Sequence, residues 1–584
     1  MRLEEYWGIG PKTSDLLTEE LGIERAVDAI ESTDTRALTE AGLSRGRATR
    51  ILRRATGKEA MDLLATRDTR DVYKELLQMA EEHAVTERAA DDIRVLTPLP
   101  TQEAMEERLD EVEAACEAWV ALDDETQRTV LAAFTKYDSG GGELAAVRTA
   151  IALKETGVES GVFAPLAELD AEALADAARA LAGLRGESDR VGEGADDELD
   201  RLREQLGRVE DLAADSMTVV EELQESARRP DEFQDAFVRH VTDESEVDVG
   251  RVREATPTEA TDAQDFVDAA LRSLVQNLRS AVEEREETVA ATLEDDLADA
   301  RKSVDAAVTA VDDVALYVSL ARFAVDFDLT RPTFVADRQV VAIQNATNLF
   351  LVDGGLSVQP ISYAVGDHRL DAGRDLPSGD RVAVLTGANS GGKTTLLETL
   401  CQVQLLAQMG LPVPADQAEV SVVDTVVFHR RHASFNAGVL ESTLRSVVPP
   451  VTSGGRTLML VDEFEAITEP GSAANLLHGL VTLTVERDAL GVFVTHLADD
   501  LEPLPEAART DGIFAEGLSQ DLELQVDYQP RFRTVGKSTP EFIVSRLVAN
   551  AADPTERSGF ETLAQAVGEE AVQRTLSDAR WTGE

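Results

Sequence analysis

The sequence predicts a multidomain chain: a small all-α module, an α-helical core and lever with a coiled-coil arm, and an α/β domain built on a phosphate-binding loop. Three observations predict it. The 584 residues exceed what one hydrophobic core organises. Residues from about 60 to 330 are rich in Ala, Leu, Glu and Asp and poor in strand formers. From about 340, short apolar runs such as Val382-Ala383-Val384-Leu385 and Leu458-Met459-Leu460-Val461 alternate with helical stretches, as buried strands of a parallel sheet do.

Residues 1–60 form the first module. They carry ten basic and eleven acidic residues, in a chain of net charge −55. Two segments place Gly-h-Gly or Gly-x-x-x-Gly at the head of a helix: Trp7-Gly8-Ile9-Gly10-Pro11-Lys12-Thr13 and Ala41-Gly42-Leu43-Ser44-Arg45-Gly46-Arg47-Ala48. Glycines there let backbone N–H groups face a phosphate oxygen. Residues 41–58 contain Arg45, Arg47, Arg50, Arg53, Arg54 and Lys58 with no acid. Both segments resemble helix–hairpin–helix elements, which implies a grip on DNA backbone without sequence reading. The DNA-binding candidates are Gly8, Gly10, Lys12, Gly42, Arg45, Gly46, Arg47 and Arg50. The alternative is a capped structural hairpin.

Residues 61–190 read as a helical core, and 191–330 as lever and arm helices. Leu199, Leu202, Leu206, Val209, Ala213, Ser216, Val220 and Leu223 recur at three- and four-residue steps, one apolar stripe for a partner helix. The stripe stops at Arg228-Arg229-Pro230, and a second helical run covers Asp262 to about Phe327. Residues 230–262 are expected to be a short, broken, polar tip. Its Arg239, His240, Arg251 and Arg253 leave DNA contact open, and a plain coiled-coil spacer is the alternative.

Residues 331–550 carry the chemistry. Strand Val382–Thr386 is followed by Gly387-Ala388-Asn389-Ser390-Gly391-Gly392-Lys393-Thr394 and then a helical Thr395-Leu396-Leu397. This is G-x-x-x-x-G-K-[ST] in strand–loop–helix context, so it predicts a P-loop for ATP. Lys393 is expected on the β- and γ-phosphates and Thr394 on Mg²⁺. A second strand ends in Asp462-Glu463: Asp462 to hold Mg²⁺, Glu463 to position and deprotonate water. A third ends in Thr495-His496, which puts His496 near the γ-phosphate. The catalytic candidates are therefore Glu463, Asp462, His496 and Lys393. Residues 551–584 are a helical tail.

These motifs resemble the MutS family. The resemblance runs through Gly387 to Thr395, then Met409-Gly410-Leu411-Pro412-Val413-Pro414-Ala415, Phe428-His429-Arg430, Ser434-Phe435, Leu460-Val461-Asp462-Glu463-Phe464 and Val494-Thr495-His496. Asp313 to Arg322 resembles the family's final core helix, and Lys537-Ser538-Thr539-Pro540 its dimer-contact region. The resemblance implies an ABC-type ATPase fold, a homodimer, and a signature segment in which Ser434, or Ala433 one residue earlier, reaches the partner's nucleotide. Asn389 matches an Asn near the γ-phosphate. The chain departs from the family at Phe464-Glu465-Ala466-Ile467-Thr468-Glu469-Pro470, where a Gly-rich run is usual. The Thr468-Glu469-Pro470 ending is closer to the second, non-mismatch MutS branch. No wedge domain for mispaired bases is visible at the N-terminus.

Composition narrows the setting. Only 8 of the 56 basic residues are Lys, and acid is spread along the whole chain. That texture suits a salt-rich, haloarchaeal-type cytoplasm. No secretory signal and no run of eighteen apolar residues appear, so a cytoplasmic protein without membrane contact is expected. Cys116 and Cys401 lie too far apart in sequence to suggest a metal site. The function these features imply is an ATP- and Mg²⁺-dependent clamp on branched or distorted DNA, in repair or recombination. The alternatives are true mismatch recognition and a cohesin-type chromosome ATPase, whose Ser-Gly-Gly signature finds a match at Ser453-Gly454-Gly455.

Overall fold

The computed structural model describes every residue except 1–2, 4–5, 7, 32, 57–59, 186–189, 227–228, 372–375, 388–391, 432–436, 468–469, 519–523, 537–539, 552, 569–571 and 573–584. The described residues fall into two compact units, 1–127 with 314–584, and 128–313. The expected boundaries at 61, 191 and 331 do not coincide with this division. The physical reason is helix Arg67–Glu82, which buries Val72, Tyr73, Leu76 and Leu77 in one core with Leu396, Leu400 and Val403 of helix Lys393–Gln408. Residues expected in a separate helical core are therefore part of the unit 1–127 with 314–584.

In the unit of 128–313, a two-stranded ribbon joins β1 (Leu184–Arg185) to β2 (Arg190–Val191) antiparallel. The apolar stripe becomes two helices, Asp197–Ala214 and Ser216–Ser226, broken at Asp215. Leu199, Leu202, Val209, Val220 and Leu223 are buried as their spacing predicts. The expected polar tip is instead two helices, Pro230–Ser245 and Val249–Glu254. Phe233, Phe237, Val238 and Val241 recur at helical steps, and the rings of Phe233 and Phe237 meet Phe266 edge-on at 6.0 and 5.5 Å. An apolar face that charge counting hid thus closes a small bundle against helix Ala263–Asp326. That helix is 64 residues long; its residues 263–313 belong to this unit and 314–326 to the other.

In the other unit, two sheets lie among the described residues. One orders β3 (Thr333–Phe334), β7 (Gln417–Val420), β4 (Val340–Ala346) and β5 (Ile361–Gly366). The other orders β12 (Leu524–Arg531), β11 (Ala508–Leu518), β6 (Val382–Gly387), β10 (Leu490–Val494), β9 (Thr457–Asp462) and β8 (Thr425–His429). All its pairings are parallel except β11 with β12. Strands β6, β9 and β10 are buried at every position, so both faces are covered. Ala383, Leu385, Leu458, Leu460 and Val492 face helix Lys393–Gln408. Val382, Val384, Met459, Val461 and Phe493 share the opposite core with Leu477 and Val481 of helix Pro470–Glu486.

Strand β8 is the edge of this sheet, and its backbone is covered. Thr69 Oγ1 donates to the Val426 carbonyl at 3.2 Å and accepts from the Phe428 N–H at 3.0 Å. The hydroxyl of Thr66 donates to the Phe428 carbonyl. Two threonines at the start of helix Arg67–Glu82 thus satisfy groups that would otherwise template another strand.

The described part of residues 1–60 forms helices Pro11–Glu20, Ile23–Glu31, Thr35–Glu40 and Arg45–Thr56 around Leu17, Ile30, Leu38, Ile51 and Leu52. Val95 of helix Glu87–Val95 joins that core.

Phe237→Ala should destabilise the 128–313 unit by about 3–5 kcal/mol, the cost of an aromatic-sized cavity. A thermal melt should show that unit unfolding earlier, with the transition of the other unit unmoved.

Candidate functional site

The glycine-rich segment expected to bind phosphate begins where β6 ends. Gly387 has φ 131°, and a Cβ there would lie 2.2 Å from the Ile513 carbonyl oxygen of neighbouring β11. Gly392 has φ 71° and caps helix Lys393–Gln408. A Cβ on Gly392 would meet the Tyr528 ring at 2.8 Å. Both positions exclude any side chain, one by β11 and one by an aromatic ring. Ala388, Asn389, Ser390 and Gly391, between them, lie outside the described residues, as does Ser434.

Parallel strands carry the next residues to the same sheet edge. Lys393 is buried, and its Nζ donates to the Gly387 carbonyl at 2.7 Å. Burial lowers its pKa, against the opposing pull of Glu463, Asp462 and Glu465. Thr394 Oγ1 donates to Asp462 Oδ2 at 2.6 Å. Asp462 is 2% exposed, and its Oδ1 has no hydrogen-bond partner among the described residues. Burial raises its pKa, with the Thr394 bond pulling the other way. A hydroxyl and a half-satisfied buried carboxylate side by side are the donor set that Mg²⁺ takes from proteins, which supply it few ligands. Thr395 is half-buried one residue on, at the rim of the cavity described below.

Glu463 follows directly, with a left-handed φ of 40° and its N–H donating to the Val494 carbonyl at 3.0 Å. The turn swings its side chain toward the end of β10. There His496 Nε2 lies 3.0 Å from Glu463 Oε1. Arg431 Nη1 lies 2.6 Å from Glu463 Oε2. The His496 hydrogen bond is the main reason the Glu463 carboxyl titrates below its ordinary range, with Arg431 and Lys393 adding to it. Glu463, Asp462, Lys393, Thr394 and His496 are thus brought together.

Sequence reasoning missed Arg431 and Glu465. The segment after Glu463 lacks the family's glycines and forms a 3-10 turn, Phe464–Ile467. Glu465 Oε1 accepts from Thr495 Oγ1 at 2.9 Å and from the His496 N–H at 2.6 Å. The departure from the family pattern therefore supplies the carboxylate that fixes the His496 backbone. The signal was present: an acid two residues past the pair, where glycine was expected.

A cavity of about 460 Å³ adjoins the loop, lined by Asn348, Leu351, Leu356, Gln359, Lys393, Thr395 and Tyr528. Asn348 is buried and donates to Glu398 Oε2 at 3.1 Å and Thr399 Oγ1 at 3.3 Å. Gln359 holds the Tyr528 N–H at 3.2 Å. The walls mix apolar side chains, Leu351 and Leu356, with polar ones and the aromatic ring of Tyr528, a lining that suits a heterocycle with hydrogen-bonding edges. Nothing in the spacing of residues 346–361 and 528 announced it.

The loop's root is also held from the carboxy-terminal side. Asp511 is fully buried, pairs with Arg509 Nε at 2.9 Å, and accepts from Tyr363 OH at 2.8 Å and the Arg533 N–H at 3.0 Å. The turn this fixes carries Gly536 over the loop. Its N–H donates to Thr386 Oγ1 at 2.6 Å, and a Cβ on it would sit 2.9 Å from Gly387 Cα.

The hairpin module distributes its candidates unevenly. Gly8 (φ 82°) backs onto Ile51, and Gly42 (φ 93°) onto Leu16, so each turn rests on the other hairpin's helix. Arg47 Nη2 donates to Thr13 Oγ1 at 2.5 Å and ties the two helix starts together. Lys12, Gly10, Gly46, Arg47 and Arg50 are exposed. Arg45, by contrast, places Nη2 2.6 Å from Asp91, and Arg53 Nε donates to the Arg94 carbonyl at 2.7 Å. Part of the positive charge that looked available for DNA fastens the module to helix Glu87–Val95.

Gly536→Ala should force the turn off the loop and lower nucleotide affinity about tenfold, since overpacking of this kind costs roughly 1–3 kcal/mol. Titration with a fluorescent ATP analogue, alongside a melt showing the fold retained, measures it.

Residues 383–503 match the family model of MutS domain V. The chain is 45% identical over 192 residues to the DNA-binding protein MutS2 of Pyrococcus furiosus, covering 32% of this chain and 34% of that one. It is 33% identical over 177 residues to the Endonuclease MutS2 of Thermus thermophilus, 29% of this chain and 23% of that one. With the DNA mismatch repair protein MutS of Natronomonas pharaonis it shares 26% identity over 248 residues, 41% of this chain and 27% of that one. The chain thus covers about a third or less of the length of these relatives. The half of the site made by β6, β9 and β10 therefore falls in the stretch that matches the MutS domain V model, in a chain similar to proteins of the MutS and MutS2 kinds.

Proposed function

We propose that this chain is a DNA-binding ATPase of the MutS2 kind that uses ATP to switch a homodimeric clamp on branched or distorted duplex DNA. The observation that carries the reading is the convergence of Lys393, Thr394, Asp462, Glu463 and His496 at one sheet edge, beside a cavity that includes Leu351, Leu356 and Tyr528. Lys393 leaves the Gly387 carbonyl for the β- and γ-phosphates. Thr394 and Asp462 would hold Mg²⁺, which when bound neutralises phosphate charge. Glu463, depressed in pKa and so ionised at neutral pH, takes a proton from water. His496, fixed through Glu465, orients that carboxylate. Ser434 of the signature segment acts in the partner's site.

The DNA reading rests on the hairpin pair and on charge. Residues 1–60 are near neutral, whereas the remaining 524 residues hold about −54, the difference between −55 and −1. Directed N–H contacts suit a salt-rich medium, where counterion release drives little binding. The names of the similar proteins, DNA-binding protein MutS2 and DNA mismatch repair protein MutS, accord with DNA as partner. The cohesin-type alternative loses its main support. Ser453-Gly454-Gly455 form the exit turn from helix Ala437–Thr452, with Gly454 at φ 81° and the Arg456 N–H donating to Asp424 at 2.7 Å. A cytoplasmic setting is part of the proposal; among the described residues no helix is long and apolar enough to cross a membrane.

Glu463→Gln should keep ATP binding and stop turnover, because only the proton acceptor is lost. Lys393→Ala should weaken ATP binding itself by about 2–4 kcal/mol, the loss of a charge-assisted contact. Phosphate release and equilibrium binding, measured on both variants, separate the roles; normal hydrolysis by Glu463→Gln would sink the assignment.

For DNA, deletion of residues 1–60 is the wrong instrument, because Arg45 and Arg53 fasten the module to the rest of its unit. Lys12→Ala, Arg47→Ala and Arg50→Ala should each weaken junction and homoduplex binding alike. Each should flatten the salt dependence by about one phosphate contact. Unchanged affinity in the triple variant, by fluorescence anisotropy, would move the DNA site elsewhere.

A further inference from the structure

One wall of the cavity beside Lys393 comes from a short helix, Leu349–Asp353, and the chain after it, which bring Leu351 and Leu356 to the space. A helix of five residues has too few backbone bonds to hold itself in water. Two hydrogen bonds, one turn apart, hang it from helix Lys393–Gln408. Glu398 Oε2 accepts from Asn348 Nδ2 at 3.1 Å, and Gln402 Oε1 accepts from the Leu349 N–H at 3.0 Å. Asn348 is 1% exposed, and its Oδ1 caps the short helix by accepting the Leu351 N–H at 3.2 Å. One amide side chain therefore fixes both where the short helix starts and what carries it.

Glu398 itself does not line the cavity. Its side chain is 16% exposed, and its other oxygen pairs with Arg430, whose guanidinium lies 5.2 Å from the Phe428 ring. Arg430 offsets the charge, which would be costly to hold so far from water without a partner. Asn348 thus has a charge-assisted acceptor, stronger than the neutral Thr399 hydroxyl at 3.3 Å. The helix that carries Glu398 begins at Lys393. The phosphate end of the site and the wall of the cavity are therefore referred to one helix.

We infer that Glu398 is a positioning residue for the heterocycle of the nucleotide: through Asn348 it fixes the cavity wall relative to Lys393. The inference rests on the proposed ATPase reading and names the group that sets how far base and phosphates lie apart. Glu398 touches neither. When the wall is in place only part of the time, the apparent affinity for a ligand that needs it falls by that fraction. A ligand made of phosphates alone does not need the wall. Its partners are Lys393, at the Gly387 carbonyl, and Thr394, at Asp462.

The test measures binding of a nonhydrolysable ATP analogue and of inorganic tripolyphosphate, both with Mg²⁺, to the full chain by calorimetry. In Glu398→Ala the analogue should bind about three- to tenfold more weakly, the wall then being in place about a third to a tenth of the time. Tripolyphosphate should bind as it does to the parent. Asn348→Ser keeps an oxygen to cap the short helix and loses the amide donor, so it should show the same split. The double variant should lose no more than the larger single loss, because both changes remove one hydrogen bond. A melt checks folding; if Glu398→Ala does not fold, Asn348→Ser alone decides the split. Unchanged analogue affinity, an equal loss for both ligands, or losses that add in the double variant each overturn the inference. A parent chain that binds tripolyphosphate as tightly as the analogue also overturns it, and leaves the phosphate site standing. A parent chain that binds neither ligand overturns the ATPase reading, and the inference with it.

Discussion

A carboxylate that is 2% exposed and satisfied on only one oxygen sets the terms for the rest of the molecule. Burying a charge is costly unless something pairs with it. At Asp462 the available compensation is a threonine hydroxyl at 2.6 Å, Lys393 nearby, and a second oxygen open to a cation. To put Thr394 there, helix Lys393–Gln408 must start at the mouth of β6, which requires Gly392 in a left-handed conformation. To put Asp462 there, β9 must run parallel to β6 with β10 between them. The sheet order, the buried faces and the helix position follow from that one juxtaposition.

The strands around this carboxylate were legible because each is a short apolar run ending in a polar residue at the same edge. Lys393, Thr394, Asp462, Glu463 and His496 were found that way, and the structure brings them together. Arg431 was not legible: its role depends on the left-handed turn at Glu463, and a single sequence does not display a backbone dihedral. Tyr528 was hidden for another reason. It comes from a strand more than a hundred residues past the loop, paired through β11, and no local pattern records that pairing. The misjudged tip at 230–262 shows the opposite failure. Charge counting described its surface correctly but missed the Phe233, Phe237 and Val241 face, because a helix can be acidic on one side and apolar on the other. The division of the chain was misjudged because helix Arg67–Glu82 reads as an ordinary amphipathic helix. Only contact reveals that its threonine end closes the edge of β8.

Acidity shapes how positive charge is used. The chain has about twice as many acids as bases, and many of the described arginines are engaged in ion pairs such as Arg285 with Asp196. That pair, with the Arg285 hydrogen bond as the first cause, holds the Asp196 carboxyl down to about 2. Surface pairs of this kind contribute little each. They do mean that a count of arginines overstates the charge free to meet a polyanion. Residues 1–60 show it at close range, where Arg45 is exposed but already paired with Asp91.

The crossing of Gly536 over Gly387 has a mechanical consequence. The strand-to-loop corner at Gly387 has no slack on its carboxy-terminal side. Backbone rests on backbone there, with Gly512 also within the contact. The chain that makes this contact leads on to the paired helices Pro540–Asn550 and Pro554–Val567, which present Ile543 and Leu563 to solvent. A side chain at Gly387, Gly512 or Gly536 would therefore have to displace main chain, not a neighbouring side chain.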